Sequence, residues 1–135
     1  MDAKTPFTLA VAYVDEIVEA FNRHDVEAIV NYFTEDGEWY LARGPEPHGR
    51  CLKGHDEIRA HLTSRNAQVP DMRWLDGKSW VSGDTAMSTW TVQGKTTDGE
   101  VIDWWGIDYW AFEGDKLKVK DTYWKYVRPD DLGKL

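Results

Sequence analysis

A chain of 135 residues, 41% apolar and 13% aromatic, is long enough to bury a real core and too short for two domains, so residues 1–135 read as one domain. Its net charge of −8, from 24 acidic against 16 basic residues, repels phosphate backbones and anionic lipid, which excludes nucleic acid and membrane surfaces as partners. The single cysteine, Cys51, makes no internal disulfide; with no signal-like N-terminus and no apolar run of about 20 residues, the chain reads as cytoplasmic.

Thr5-Pro6 reads as an N-cap and first helical position, after which Val14, Ile17, Val18 and Phe21 recur at helical spacing as far as about Asn22. Asp25 caps a short second helix with Ile29, Val30 and Phe33 on its apolar side, ending near Glu35-Asp36-Gly37. A short strand, GEWYLA, comes next. Residues 43–54, RGPEPHGRCLKG, form an irregular loop on glycine and proline content. Asp56 and Glu57 then open a third helix through Ile58, Ala60 and Leu62, where acids suit the positive end of the helix dipole. From Met72 onward the pattern is strand, broken by turn signals at Asp76-Gly77, Gly83-Asp84, Asp98-Gly99 and Gly114-Asp115. Helices first and a meander of long strands afterwards make an α+β domain, with three helices on one face of a mainly antiparallel sheet.

Within the last strands one residue breaks the pattern. Asp108 sits in GIDYWAFEGDKL among Ile107, Tyr109, Trp110 and Phe112, and burying a bare carboxylate there costs several kcal/mol. Strand parity puts Trp104 and Trp110 on the face of Asp108, and Trp39 on the face of Leu41, while Trp105 and Tyr109 point the other way. Large outward rings on a sheet call for a second copy of the chain, so a homodimer is expected.

The order helix, helix, short strand, loop, helix, long strands resembles the nuclear transport factor 2-like superfamily. FNRHDVEAIVNYFTEDGEW is similar to that group's opening and LKGHDEIRAHL to its third helix. GIDYWAFEGDKLKVKDTYW resembles the closing hairpin of its ketosteroid isomerase-like and SnoaL-like polyketide cyclase branches. The resemblance covers about residues 8–127 and implies a cone-shaped α+β barrel around a deep apolar cavity. It also implies that Asp108 stands where the steroid isomerases keep a neutral aspartic acid that donates to a substrate oxyanion. Two other isomerase positions depart from the pattern: Leu41 replaces the proton-shuttling base, and Ile17 replaces the oxyanion tyrosine. The cyclases' His-Trp-Asp run is matched by Lys120, Asp121 and Thr122, which do not reproduce it.

Two readings of the partner of Asp108 stay open. A two-residue turn at Gly114-Asp115 pairs Glu113 with Lys116 and sets Asp108 opposite Asp121. The resemblance instead places Lys120 and Trp124 in the cavity, and a bulge in the last strand reconciles the two, because one extra residue reverses every later side chain. The alternation of Lys116, Lys118 and Lys120 with Leu117 and Val119 equally fits a solvated strand face, and Asp108 equally fits a structural acid held by a backbone or indole N–H.

The expected catalytic pair is Asp108 and Lys120, and the expected ligand pocket comprises Ile17, Phe33, Trp39, Leu41, Trp104, Trp110 and Trp124. No metal and no cofactor are expected, since His48, His55 and His61 lack ligand spacing and read as loop and surface histidines. Cys51 beside His48 reads as a spare thiol, and Arg43 and Arg50 as solvated arginines that could meet an anionic ligand at the rim. The expected function is acid/base catalysis of the isomerase, dehydratase or cyclase kind on a small apolar carbonyl or hydroxyl compound. The alternative is a non-catalytic binding or accessory module.

Overall fold

The computed structural model describes residues 6–131 and 133. Helix α1 spans Val11–Asn22 and buries Val14, Ile17, Ala20 and Phe21, the stripe that its sequence spacing requires. It starts later than Pro6: residues 6–10 belong to no helix or strand, Ala10 before the helix is extended, and Leu9 is buried as a core residue; Thr5 lies outside the described residues. Helix α2 covers Val26–Tyr32, with the Asp25 carboxylate accepting from the Ala28 amide at 3.1 Å. It ends before the acidic Glu35-Asp36 pair, since Phe33 is already extended and pairs with Leu117.

Strand β1 is therefore Phe33–Tyr40, longer and earlier than the GEWYLA segment. Part of the expected loop is also strand: β2, Cys51–Lys53, pairs antiparallel with β1 and leads into α3, Gly54–Gln68. The long strands are β3 Arg73–Ser82, β4 Thr85–Lys95, β5 Val101–Glu113 and β6 Lys116–Trp124. Asp76-Gly77 is not a turn but a bulge inside β3, with Asp76 at φ 55° between the paired Leu75 and Lys78.

The six strands form one open sheet in the order β2-β1-β6-β5-β4-β3, in which only the β1–β6 pair is parallel. The three helices cover one face of this sheet, as the sequence pattern requires. Two features hold α1 and β3 together at the far edge. The Asn22 side chain exchanges two hydrogen bonds with the Trp74 backbone, at 2.7 and 3.1 Å, and the His24 ring bonds the Met72 carbonyl at 2.6 Å. The main core lies between helices and sheet around Ile17, Phe21, Trp39 and Trp110; a second apolar group, including Val69, Met72 and Ile102, closes the other end. No described helix is long and apolar enough to cross a membrane.

Candidate functional site: a buried ion pair beneath a cationic cavity

Strand β6 carries one residue more than its partner. Phe112 pairs with Leu117, but Ala111 pairs with Val119, so Lys118 is the extra residue and everything beyond it is reversed. Leu117 is buried before the bulge, and Lys120 and Thr122 are buried after it. Thr122, and not Asp121, consequently stands opposite Asp108, while Lys120 pairs with Trp110 on β5 and with Trp39 on β1. The solvated-face reading holds for Lys118 and fails for Lys120.

These residues form a closed polar network in an aromatic shell. The Lys120 ammonium donates to Asp108 Oδ1 at 2.9 Å and to Thr122 Oγ1 at 2.9 Å. Thr122 donates its only hydroxyl proton to Asp108 Oδ1 at 2.6 Å and accepts from the Trp39 indole at 3.0 Å. The Trp90 indole donates to Asp108 Oδ2 at 2.9 Å. Asp108 is thus an acceptor at both oxygens, an arrangement suited to a carboxylate and not to the neutral donor that the steroid isomerase resemblance implies.

Both members of the ion pair have side chains only 5% exposed, so the pair stands or falls on complete hydrogen bonding. Burial pulls the Lys120 ammonium below the ordinary lysine range, against the opposing attraction of Asp108. Its charge also lies near the Trp39, Phe21 and Trp110 rings, at 4.4, 4.8 and 5.4 Å from their centres. Of its three N–H bonds, two are directed to oxygen.

A glycine lets the network close. Gly106 pairs with Trp90 across β4 and β5, and a Cβ there would meet the Trp90 ring at 2.4 Å. Only a residue without a side chain lets the indole lie over β5 and reach Asp108.

Lys120 and Thr122 reach the floor of a cavity of about 500 Å³. Its walls include Trp39, Trp74, Trp90, Trp104 and Trp124 from the sheet, and Leu41 at the end of β1. Helix α3 contributes His61, Ser64, Arg65 and Gln68, spaced to lie on one face. The rim is formed by Arg43 and Arg50 of the loop and by Thr96 and Glu100 at the β4–β5 turn. The loop is pinned where the Leu41 amide donates to the Arg50 carbonyl at 2.9 Å. Gly49, at φ 79°, is needed there because a Cβ would fall 2.0 Å from the Leu41 oxygen.

Four of the seven expected pocket residues, Trp39, Leu41, Trp104 and Trp124, line this cavity. Ile17, Phe33 and Trp110 do not: all three are core residues, with Ile17 packed under α1 and Phe33 at the α2–β1 junction. Trp110 instead lies beside the small hollow behind Lys120, where its indole donates to Ser88 Oγ at 3.0 Å. Asp108 borders that hollow too, and is screened from the large cavity by its partners Lys120, Thr122 and Trp90.

The expected pocket omits Trp74 and Trp90 and, on α3, His61, expected at the surface, and Arg65. The two on α3 follow from helical spacing, since they share a side of α3 with the buried Ile58 and Leu62. His61 packs edge-on against Trp39, with ring centres 5.3 Å apart. Burial, helped by the nearby Arg65 and Arg50 charges, pulls its imidazole down to about 4. The Arg65 guanidinium lies 5.0 to 5.9 Å from the centres of the Trp74, Trp39 and Phe21 rings, and burial draws it down to about 10. His55, by contrast, bonds the Phe33 carbonyl at 3.0 Å, a structural contact. Among the described residues no three His, Cys, Asp or Glu side chains come together as a metal site.

A family model for the SnoaL-like domain matches residues 14–119. No curated protein matches the chain. Among solved structures, a candidate polyketide cyclase from Xanthomonas campestris pv. campestris is 18% identical with a TM-score of 0.74, over 84% of this chain and 88% of the other. A nuclear transport factor 2-like protein of unknown function from Burkholderia pseudomallei is 22% identical with a TM-score of 0.73, over 84% and 88% of the two chains. A Catenulispora acidiphila protein of ketosteroid isomerase-like fold, solved with trimethylamine, is 14% identical with a TM-score of 0.73, over 85% and 86%. At these identities the likeness is one of fold.

Proposed function

This chain belongs to the SnoaL-like domain family, and from that premise we propose that it is a cofactor-free acid/base enzyme, of isomerase, dehydratase or cyclase type, for a small, largely apolar carbonyl or hydroxyl compound. The carrying observation is the Lys120 ammonium on the cavity floor, fixed by Asp108 and Thr122 with two of its three N–H bonds. A substrate oxygen brought against Lys120 receives a charge-assisted hydrogen bond that strengthens as negative charge develops on that oxygen. Burial lowers the lysine's hold on its proton, which suits proton delivery as well. Asp108 then acts through Lys120, as its positioning carboxylate and counter-charge.

His61 supplies a neutral acceptor in the same cavity. Its low basicity restricts the carbon acid to one already acidified by a carbonyl held against Lys120. The outer face of the sheet, with Trp105 and Tyr123 exposed, serves in this reading as the contact with a second copy of the chain.

One specific observation favours a second reading. Leu41, at the position that carries the base in the steroid isomerases, takes no proton and lines the cavity as an apolar wall. A non-catalytic carrier of an apolar ligand would use the same cavity without moving a proton. Solvent-deuterium exchange separates the two. Aryl-substituted ketones such as phenylacetone are incubated with the protein in D2O, and loss of the α-proton signal is followed by NMR. Acceleration by the wild type, absent with Lys120→Met, supports catalysis; binding without acceleration supports the carrier.

A further inference from the structure

The walls of the cavity carry a charge opposite to that of the chain. Arg43, Arg50, Arg65 and Lys120 line it, and Glu100 at the rim is the one carboxylate among the lining residues, in a protein of net charge −8. Asp108 balances Lys120 from behind and Glu100 offsets one arginine, so the cavity keeps an excess of positive charge. His61, neutral beside these cations, does not add to it.

Arg65 is the focus of that excess. Among the described residues no carboxylate lies within ion-pair distance of its guanidinium, and its Nε is buried with no hydrogen-bond partner. The faces of Trp39, Trp74 and Phe21 hold the plane of the group, and the charge of Asp108 acts on it only from beyond ion-pair distance. A buried guanidinium without a counter-charge beside it is expensive, and an anionic ligand in the cavity offsets that cost. Helix α3 sets this side chain in the cavity lining one turn on from His61.

We infer that the natural ligand is an organic carboxylate, its apolar body held among the tryptophans and its carboxylate received by Arg65, with Arg43 and Arg50 drawing it in at the rim. A carboxylate matches the planar guanidinium fork, and the aromatic walls call for an apolar remainder. This deepens the proposed function, and rests on it, by giving the carbonyl compound a second, anionic end that orients it against Lys120. It also explains an acidic protein with a basic pocket. The overall field disfavours anions in general, and the local one favours an anion at a single place.

The test compares 3-phenylpropanoate with 3-phenylpropanamide, two probes of one shape that differ in charge, by following tryptophan fluorescence and saturation-transfer NMR. The carboxylate is expected to bind at least about tenfold more tightly to the wild type. Arg65→Met removes that preference and leaves the amide's affinity in place, whereas Arg65→Lys keeps part of it; circular dichroism confirms that each variant is folded. Equal affinity for the two probes overturns the inference and leaves the cavity as a ligand site. Binding of neither probe overturns both. Should Arg65→Met fail to fold, the wild-type ratio of the two affinities still decides.

Discussion

Thr122 Oγ1 lies 2.6 Å from Asp108 Oδ1 and is saturated: its one proton goes to the carboxylate, while Lys120 and the Trp39 indole donate to its lone pairs at 2.9 and 3.0 Å. Thr122→Val keeps the shape and removes all three bonds, stranding a buried indole N–H and loosening the ion pair. A loss of about 1–3 kcal/mol is expected in urea denaturation. Thr122→Ser, which keeps the hydroxyl, should lose much less. Equal losses for the two variants would mean that the methyl group, and not the network, is what matters.

Asp108→Asn leaves the Lys120 ammonium buried beside a neutral amide. A penalty of about 3–5 kcal/mol is expected, because the uncompensated charge keeps its desolvation cost and loses its partner. Asp108→Leu combined with Lys120→Met removes both charges and should recover most of that stability while remaining inactive in the deuterium-exchange assay. A double variant no more stable than either single one would show that the pair is held by something other than mutual charge compensation.

The helix-then-strand order was legible because each element repeats its own period: Ile17 and Phe21 at helical spacing in α1, and inward Trp104, Asp108 and Trp110 at spacing two in β5. The inner position of Asp108 followed from the same period. What sequence could not decide was the register of β6, since Lys116, Lys118 and Lys120 alternate smoothly and hide the extra residue at Lys118. Pocket membership was only partly legible even on the late strands, where Trp104 and Trp124 line the cavity and Trp110 does not. Ile17 and Phe33 are apolar like the cavity walls, and only the lean of α1 and α2 on the sheet decides that they fill core instead. His61 was read as a surface histidine and Arg65 was not singled out, although their spacing from Ile58 and Leu62 places both on the inner side of α3.

His61 gives the fold a pH dependence of definite sign. Its folded value of about 4 lies below the ordinary 6.5, so the unfolded chain takes the proton first. The stability it allows is whole above about pH 6.5 and is lost as pH falls toward 4. On the order of 1–3 kcal/mol is expected over that range, after discounting for partial solvent access. His61→Phe should flatten the wild-type slope between pH 6.5 and 5 in denaturation midpoints, a window above most carboxylates. An imidazole C2–H NMR signal titrating near 6.5 would refute the assignment.

The outward face of the sheet carries a row of side chains across four strands. Trp80 pairs with Met87, Met87 with Tyr109 and Tyr109 with Asp121, with the exposed Trp105 and Tyr123 alongside. At one end of the row the Lys78 ammonium lies 4.9 Å from the centre of the Trp80 ring; at the other, Asp121 accepts from the Tyr123 hydroxyl at 2.9 Å. A two-fold axis through such a face sets the lysine end of one copy on the aspartate end of the other and buries the rings between them. Trp105, 67% exposed in the single chain, is where a charge would be most disruptive. Sedimentation equilibrium should give twice the 15.6 kDa chain mass for the wild type and a folded monomer for Trp105→Glu. A monomeric wild type at tens of micromolar would remove the second copy and leave those rings to be explained by another partner.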